Sequence, residues 1–422
     1  MNTQWQKLCD SADWFDPFFL EIIKNNLREE PFLHRKQWEF AMIFRVLHEA
    51  GMLNGNSTGI AFGAGKERLI YSVMEKVKKL IATDLYNVNS KWIGTKTNNP
   101  KDYLLNRAPF AVDPDRLDAK YMDMREISFP DNSFDFAYSS CVFEHISSDD
   151  AGFVEHLNEV KRTLKEGGLY VMTTEYIYDS QTAAIPGSYF FALPHLLDIV
   201  KQSGLHLAPV FDARLVEISA NEPAPLPSDF SFHFGSKWIP HITCIRQNLT
   251  FTSCLLALTK DSSKKPQPPK IIGYDNSMKF VKRTLDRNLN GLWKKWQNVS
   301  ETRGVSDKPS IVGHENFEVD IKRTNKHLVF HSPYLKFGGG STLEVKIVLI
   351  PDCNEMIEIK LISCEKHEGN HLIIEQTISL NNQSKLGELV KLSCNLKPNR
   401  IYAVLGRGKG TFKAINIQMR KK

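Results

Sequence analysis

The chain has 422 residues, of which 42% are apolar and 24% charged, and it carries a formal net charge of +6 at pH 7. These values are ordinary for a globular protein, and the length exceeds that of one typical domain. No apolar run is long enough to cross a membrane as a helix, and the first residues do not form a secretory signal. We therefore expect a cytoplasmic protein.

The positive charge is concentrated in one segment. Residues 261–310 contain eight lysines and three arginines against four aspartates and one glutamate, so the rest of the chain is close to neutral. A neutral main domain argues against a broad nucleic-acid surface, and no nucleic-acid partner is expected. The seven cysteines are scattered without a Cys-x-x-Cys pair, which predicts reduced thiols and no metal site.

In chain order, residues 1–58 are predicted to form an N-terminal helical cap, and residues 59–260 alternate strands with helices. Predicted helices begin at Leu69 and cover Asp150–Leu164 and Phe190–Lys201. The seven predicted strands are Gly59–Phe62, Val77–Asp84, Ala119–Asp123, Phe134–Ser140, Leu169–Tyr176, Leu205–Phe211 and Leu249–Leu258. This alternation predicts an α/β domain with a doubly wound, mostly parallel, seven-stranded sheet.

Residues 261–310 are predicted to be a basic linker with an amphipathic helix. An apolar stripe with tryptophans runs through residues 279–296, flanked by lysines and arginines. Such a helix can lie on a membrane surface, but packing on a neighbouring domain is favoured.

Residues 311–422 show a different pattern, with eight short alternating runs separated by turn residues. The runs are Phe317–Ile321, Leu328–His331, Ser341–Ile350, Met356–Ser363, His371–Leu380, Leu389–Leu396, Arg400–Leu405 and Phe412–Met419. They predict an all-β accessory domain, a sandwich of jelly-roll type.

Candidate ligand-binding residues stand at the ends of the first three predicted strands. Gly63-Ala64-Gly65 ends the first strand, Asp84 ends the second, and Asp123 ends the third, with Met124 next to it. Glycines allow close approach of the backbone, Asp84 can bind both ribose hydroxyls, and Asp123 can accept from an exocyclic amine. Singly, each is also explained as an ordinary βα turn or a capping carboxylate; together they favour a nucleoside site.

Over residues 35–260 the chain resembles class I S-adenosylmethionine-dependent methyltransferases, in the branch that includes small-molecule and ubiquinone-pathway enzymes. The resemblance rests on Gly63-Ala64-Gly65, Ala82-Thr83-Asp84, Asp123-Met124, Phe129–Asp135, Cys141–Ile146 and Leu164–Gly168. It implies a Rossmann-like fold and S-adenosylmethionine as the cofactor. It also implies cofactor contacts from Gly63, Ala64, Gly65, Asp84, Leu85, Asp123, Met124, Ser140 and Cys141.

Two positions depart from the family pattern. Ala61 stands where an acid usually precedes the first glycine by two residues, and Glu67 stands in place of the third glycine. As a hypothesis, Arg35, Trp38 and Glu39 of the N-terminal cap supply the missing contact to the methionine amine.

His145 is the candidate base for an acceptor hydroxyl, because an unperturbed imidazole titrates near neutral pH and His145 follows the fourth strand. The alternative is a histidine that only shapes the pocket. Glu144 is the second catalytic candidate and Glu175 a weaker one. Cys141 is discounted as a nucleophile because no activating partner is visible.

The sequence thus predicts a methyltransferase acting on a small-molecule or saccharide acceptor, possibly at a hydroxyl. One alternative is a non-catalytic binding module, for which Ala61 and Glu67 would be signs of decay. Another is a nicotinamide-dependent oxidoreductase, but its fingerprint requires a glycine where Arg68 stands. Neither the oligomeric state nor the acceptor is predicted.

Overall fold

In a computed structural model, the chain forms two compact units. The first contains residues 1–221 and 250–280, and the second contains residues 222–249 and 281–422. The described residues are 5–89, 93–185, 187–223, 241–246, 249–286, 327–331, 342–351, 357–365, 368–380, 389–397, 400–408 and 412–421.

The described helices are α1 (Pro17–Glu21), α2 (Arg35–Glu49), α3 (Leu69–Met74), α4 (Pro100–Leu105), α5 (Asp150–Thr163), α6 (Leu193–Ser203) and α7 (Tyr274–Asp286). Single turns of 3-10 or π geometry cover Ser11–Phe15, Ile22–Asn26, Ile93–Thr95, Pro114–Arg116, Phe143–His145 and Ser219–Asn221.

The strands up to residue 272 are β1 (Lys7–Leu8), β2 (Thr58–Phe62), β3 (Lys79–Asp84), β4 (Leu117–Tyr121), β5 (Phe134–Ser140), β6 (Leu164–Ile177), β7 (Ala183–Ile185), β8 (Ser188–Phe190), β9 (His206–Leu207), β10 (Val210–Asp212), β11 (Cys244–Arg246), β12 (Leu249–Thr259) and β13 (Lys270–Ile272). The later strands are β14 (His327–His331), β15 (Thr342–Pro351), β16 (Ile357–Glu365), β17 (Glu368–Leu380), β18 (Leu389–Asn395), β19 (Arg400–Gly408) and β20 (Phe412–Lys421).

The first unit is built on one large sheet. Nine described strands lie side by side in the order β13-β10-β1-β12-β6-β5-β2-β3-β4, and β9 pairs with one end of β12. β2 to β6 run parallel to one another, and β12 lies antiparallel beside β6. The α/β, mostly parallel, Rossmann-like fold is therefore confirmed.

The sheet extends beyond the seven strands predicted. Lys7–Leu8, in the segment predicted as a helical cap, is a strand between β12 and β10. The predicted strand Leu205–Phe211 is interrupted and becomes β9 and β10, because Pro209 has no N–H to donate to a ladder. The third predicted strand ends at Tyr121, so Asp123 lies two residues beyond it.

The core of the first unit lies between this sheet and its covering helices. On one side, α5 and α6 bury Phe153, Leu157 and Leu196 against strand residues such as Phe62 and Met172. The helical spacing of those apolar residues explains why the helices form here. The helices cover the faces of the sheet, so the connecting loops lie at the carboxyl edge of β2 to β5. Ligands bind at this edge in such sheets.

The second unit contains antiparallel strands in two groups. Its described sheets have the orders β14-β19-β16-β17 and β18-β15-β20. Seven of the eight predicted strands therefore lie on or beside observed ones, and Phe317–Ile321 lies outside the described residues. The jelly-roll sandwich stays a prediction.

The predicted amphipathic helix is described only in part. α7 is described as far as Asp286, and residues 287–296, including both tryptophans of the stripe, lie outside the described residues. None of the described helices has the length and apolar character needed to span a bilayer.

Candidate functional site

The turn after β2 is shaped by two glycines with left-handed backbone. Gly63 has φ +57° and Gly65 has φ +49°. A Cβ on Gly63 would stand 2.3 Å from Val142 Cγ2, so the residue must be glycine for the loop after β5 to approach. The turn is tied to β3 by a hydrogen bond from Ala64 N to Thr83 O at 3.0 Å. These contacts hold the turn at the carboxyl edge of the sheet, where Gly63 and Gly65 are partly exposed and Ala64 is buried.

Asp84 lies directly against this turn, as the sequence analysis expected of a nucleoside site. Its Oδ2 accepts from Gly65 N at 2.8 Å and its Oδ1 from Leu85 N at 2.7 Å. Burial raises the pKa of Asp84, and these two backbone hydrogen bonds act in the opposite direction. Each carboxylate oxygen accepts only one of these hydrogen bonds and keeps a lone pair for a ligand hydroxyl. Tyr86 closes the turn from the other side through its hydroxyl, which donates to Gly65 O at 2.7 Å.

Asp123 and Met124 lie in the loop that follows β4. The Asp123 carboxylate is bound by Arg125, with Nε at 3.1 Å and Nη2 at 2.7 Å. The Arg125 hydrogen bond, opposed by burial, lowers the pKa of Asp123. Met124 is buried, and its carbonyl accepts from Nδ1 of the buried His156 at 2.7 Å. Asp123 is thus anionic and half-exposed, beside an apolar side chain.

Ser140 and Cys141 continue the site where β5 ends. Cys141 has φ +46°, and its N–H donates to Thr173 O at 3.0 Å. Burial raises the pKa of its thiol well above the usual value, with Glu144 and Glu39 adding to the effect. A thiol held protonated is a weak nucleophile, in keeping with the expectation that Cys141 is not one.

A network of buried charges reaches Ser140 from the first turn of α2. The fully buried Glu39 carboxylate accepts from Ser253 Oγ at 2.5 Å and from Ser140 Oγ at 3.0 Å, and Lys36 Nζ lies 2.8 Å away. Burial alone would raise the pKa of Glu39, but the charges of Lys36 and Arg35 lower it to about 2. Glu39 is therefore a fixed anion at the site.

Arg35 extends the network to β6. Its Nη2 lies 2.6 Å from Glu175 Oε1, and its Nη1 donates to Ser253 Oγ at 3.0 Å. Of the three cap residues predicted to reach the site, Arg35 and Glu39 lie beside Ser140 and Cys141. Trp38 does not, because its indole is fully buried and donates to Asp13 Oδ2 at 2.6 Å.

Glu67 faces the same network from the glycine turn. Its carboxylate lies 3.7 Å from Lys36 Nζ, and its side chain is 18% exposed. Burial raises the pKa of Glu67 to about 8, with Glu39 and Asp84 contributing and Lys36 opposing. Sequence reasoning treated Glu67 only as a departure from the family pattern and gave Lys36 no role at the site. The spacing of Lys36 and Glu39, three residues apart at a helix start, was the available signal.

Glu144 and His145 share one turn but have different surroundings. Glu144 is buried; its Oε2 accepts from Thr174 Oγ1 at 2.9 Å, and its Oε1 has no hydrogen-bond partner among the described residues. Burial raises the pKa of Glu144. His145 Nδ1 lies 2.7 Å from Gly187 O.

His145 borders an open pocket of about 970 Å³. Hydroxyl and charged groups contribute to its lining, and Arg125 connects it to Asp123. Other lining residues include Ser147, Asp149, Glu155 and Tyr189. No group of three or more His, Cys, Asp or Glu side chains in the described part of the chain is arranged to hold a metal.

Residues 60–172 match a family described as a methyltransferase domain, a span that runs from β2 into β6. A search of curated protein sequences found no match. Similar solved structures include a geranyl diphosphate methyltransferase bound to S-adenosylmethionine, at 15% identity and TM-score 0.37, covering 60% of this chain and 96% of that one. A methyltransferase from Aquifex aeolicus is similar at 15% identity and TM-score 0.32, covering 58% of this chain and 94% of that one. The [4+2]-cyclase SpnF is similar at 13% identity and TM-score 0.35, covering 59% of this chain and 94% of that one.

Residues 60–172 are thus a methyltransferase domain, which supports methyl transfer as the activity of the chain and S-adenosylmethionine as its cofactor. The residues present fit that group. Asp84 offers carboxylate oxygens beside an open glycine turn, and the Tyr138 hydroxyl is a buried polar atom without a hydrogen-bond partner among the described residues.

Proposed function

We propose that the chain methylates a hydroxyl group of a small molecule, a saccharide being the class that the pocket suits best. The observation that carries this proposal is the pocket of about 970 Å³ beside His145. Its size falls within the range of small-molecule sites, which is about 300–1,000 Å³. Its hydroxyl and carboxylate groups, with the ring of Tyr189, offer hydrogen bonds and an apolar face to a polyhydroxylated acceptor.

The cofactor side of the site is assigned to the residues expected from the sequence. We place the ribose at Asp84 and Leu85, the adenine at Asp123 and Met124, and the reacting end near Ser140 and Cys141. Gly63, Ala64 and Gly65 complete this set through their backbone. This assignment is supported by the hydrogen bond of 2.8 Å from Gly65 N to Asp84 Oδ2, which joins the carboxylate to the turn.

S-adenosylmethionine, when bound, supplies an electrophilic methyl group, so the protein's task is mainly orientation. His145 is placed to take the proton of an acceptor hydroxyl. The Nδ1–H donates to Gly187 O, which puts the accepting lone pair of the neutral ring on Nε2. Glu144 is buried behind the same turn, and we assign it the role of positioning His145 rather than of contacting the acceptor.

The first test is calorimetric titration of the full chain with S-adenosylhomocysteine, with NAD as the control. Binding of S-adenosylhomocysteine alone is expected and justifies a screen of acceptors with methyl-labelled cofactor, sugars and phenols included. No binding would favour a methyltransferase-like module without activity, and binding of NAD alone would favour an oxidoreductase.

With an acceptor in hand, His145→Gln is expected to lower kcat about 100-fold or more, because a positioned base contributes that much. Affinity for S-adenosylhomocysteine should not change. The matched control is His48→Gln, at an exposed position of α2. Normal turnover by the His145 variant would remove it as the base and leave it a pocket-shaping residue.

A further inference from the structure

We infer that Glu67 binds the ammonium group of the methionine end of S-adenosylmethionine, in place of the acid that Ala61 lacks. This inference rests on the proposed function, since it assigns a specific contact within the same cofactor site. It makes Glu67 a substitute for the missing acid, whereas its position in the family pattern is that of a glycine.

The first support is position. Ala61 is fully buried in β2 and brings no charge to the edge of the sheet. Glu67 follows Gly65 by two residues and, unlike Glu39, keeps 18% of its side chain exposed. A ligand that lies on the glycine turn can therefore reach the Glu67 carboxylate without opening the core.

The second support is a balance of charges. Glu175 has Arg35 at 2.6 Å and Glu39 has Lys36 at 2.8 Å, so each of these acids has its own cation. Among the described residues, the ion pair of Glu67 is the longer contact of 3.7 Å with the same Lys36 ammonium. Of these three glutamates, Glu67 is therefore the one without a cation of its own in the described part of the chain, and an incoming ammonium would provide one.

The third support is the surroundings of Glu67 on each packed element. Lys36 and Glu39 face it from α2, Asp84 from the end of β3, Tyr86 from the segment just after β3, and Tyr138 from β5. The Tyr138 hydroxyl is fully buried and has no hydrogen-bond partner among the described residues. A polar ligand group between Glu67 and Tyr138 would satisfy that hydroxyl.

Binding should also release a proton. Burial and two neighbouring acids hold Glu67 largely protonated at pH 7, since its pKa is raised to about 8. An ammonium against the carboxylate favours ionisation, so the proton leaves as the ligand binds. The affinity should therefore rise between pH 6.5 and 8.

The test uses calorimetry on the full chain with two probes, S-adenosylhomocysteine and methylthioadenosine, which lacks the amino-acid end. Glu67→Gln is expected to weaken S-adenosylhomocysteine about tenfold or more and methylthioadenosine less than about twofold, because a charged hydrogen bond is lost for the first probe only. The control is Glu75→Gln, whose carboxylate pairs with Arg28 at the surface. Titrations in two buffers of different protonation enthalpy count the released protons.

Equal weakening of both probes would overturn the inference, because Glu67 would then act on the shape of the whole site. Unchanged affinity for S-adenosylhomocysteine would overturn it too, as would proton release that persists in Glu67→Gln. Wild-type protein that binds neither probe would overturn the proposed function, and the inference with it. Selective weakening with loss of proton release supports both.

Discussion

Glu39→Gln tests how far the buried charge network holds the first unit together. The substitution keeps the size and shape of the side chain but removes its negative charge. The Lys36 ammonium at 2.8 Å and the Arg35 guanidinium at 3.4 Å would then remain without their shared anion. The Ser253 and Ser140 hydroxyls would each face an amide in place of a carboxylate.

Two routes give the size of the effect. Lowering the pKa of Glu39 from 4.5 to about 2 is equivalent to about 3 kcal/mol of stability at neutral pH. Breaking a buried ion pair by removing one partner costs about 3–5 kcal/mol. Because the folded-state pKa is lowered, this stability is fully present above pH 4.5 and is lost as the pH falls towards 2. The variant should therefore be about 3 kcal/mol less stable at pH 7, and the difference should shrink in acid.

The assay is denaturant unfolding followed by tryptophan fluorescence, with calorimetric binding of S-adenosylhomocysteine measured alongside. Glu21→Gln, at an exposed position of α1, serves as the control and should match the wild type. A Glu39→Gln midpoint equal to that of the wild type at pH 7 would refute the reasoning. Such a result would mean that the cost of burying these charges cancels their attraction.

Two further predictions concern backbone and pH. Gly63→Ala should lower the free energy of unfolding by about 2 kcal/mol, because the φ of Gly63 is +57° and the new Cβ would meet Val142. The control is Gly55→Ala, whose new Cβ has nothing within 4 Å and should cost less than about 0.5 kcal/mol. Equal losses of stability in denaturant unfolding would contradict this prediction. Burial lowers the pKa of His156 to about 4, so the unfolded chain takes up a proton that the folded chain refuses and stability falls between pH 6.5 and 4. His156→Gln should flatten that slope, and an unchanged slope would rule out His156 as its source.

The sheet and its glycine turn could be predicted because their signals are local. Short, largely apolar runs defined β2, β3 and β5, and Phe134–Ser140 was predicted with the observed bounds. Asp84 could be placed because a carboxylate at the end of β3 must lie beside the turn after β2 when the two strands are parallel neighbours.

What sequence reasoning missed depends on contacts between distant segments. Lys7–Leu8 is too short to show a strand pattern and is defined only by its pairing with β12 and β10. Lys36 and Glu67 are ordinary charged residues in sequence and become site residues only because α2 and the glycine turn meet. Trp38 shows the converse, since its place in the same helix turn suggested the site but its indole is used in the core.

The position of β1 has a consequence for the order in which the first unit can assemble. Lys7 is opposite Leu255 on one side and Asp212 on the other, so both partners are made more than 200 residues later. During synthesis this segment leaves the ribosome among the first residues and must wait unpaired until β10 and β12 follow. One of the first strands in the chain therefore joins the sheet late, by pairing between β12 and β10. The parallel strands around the glycine turn can form earlier, before Ser253 of β12 completes the polar network.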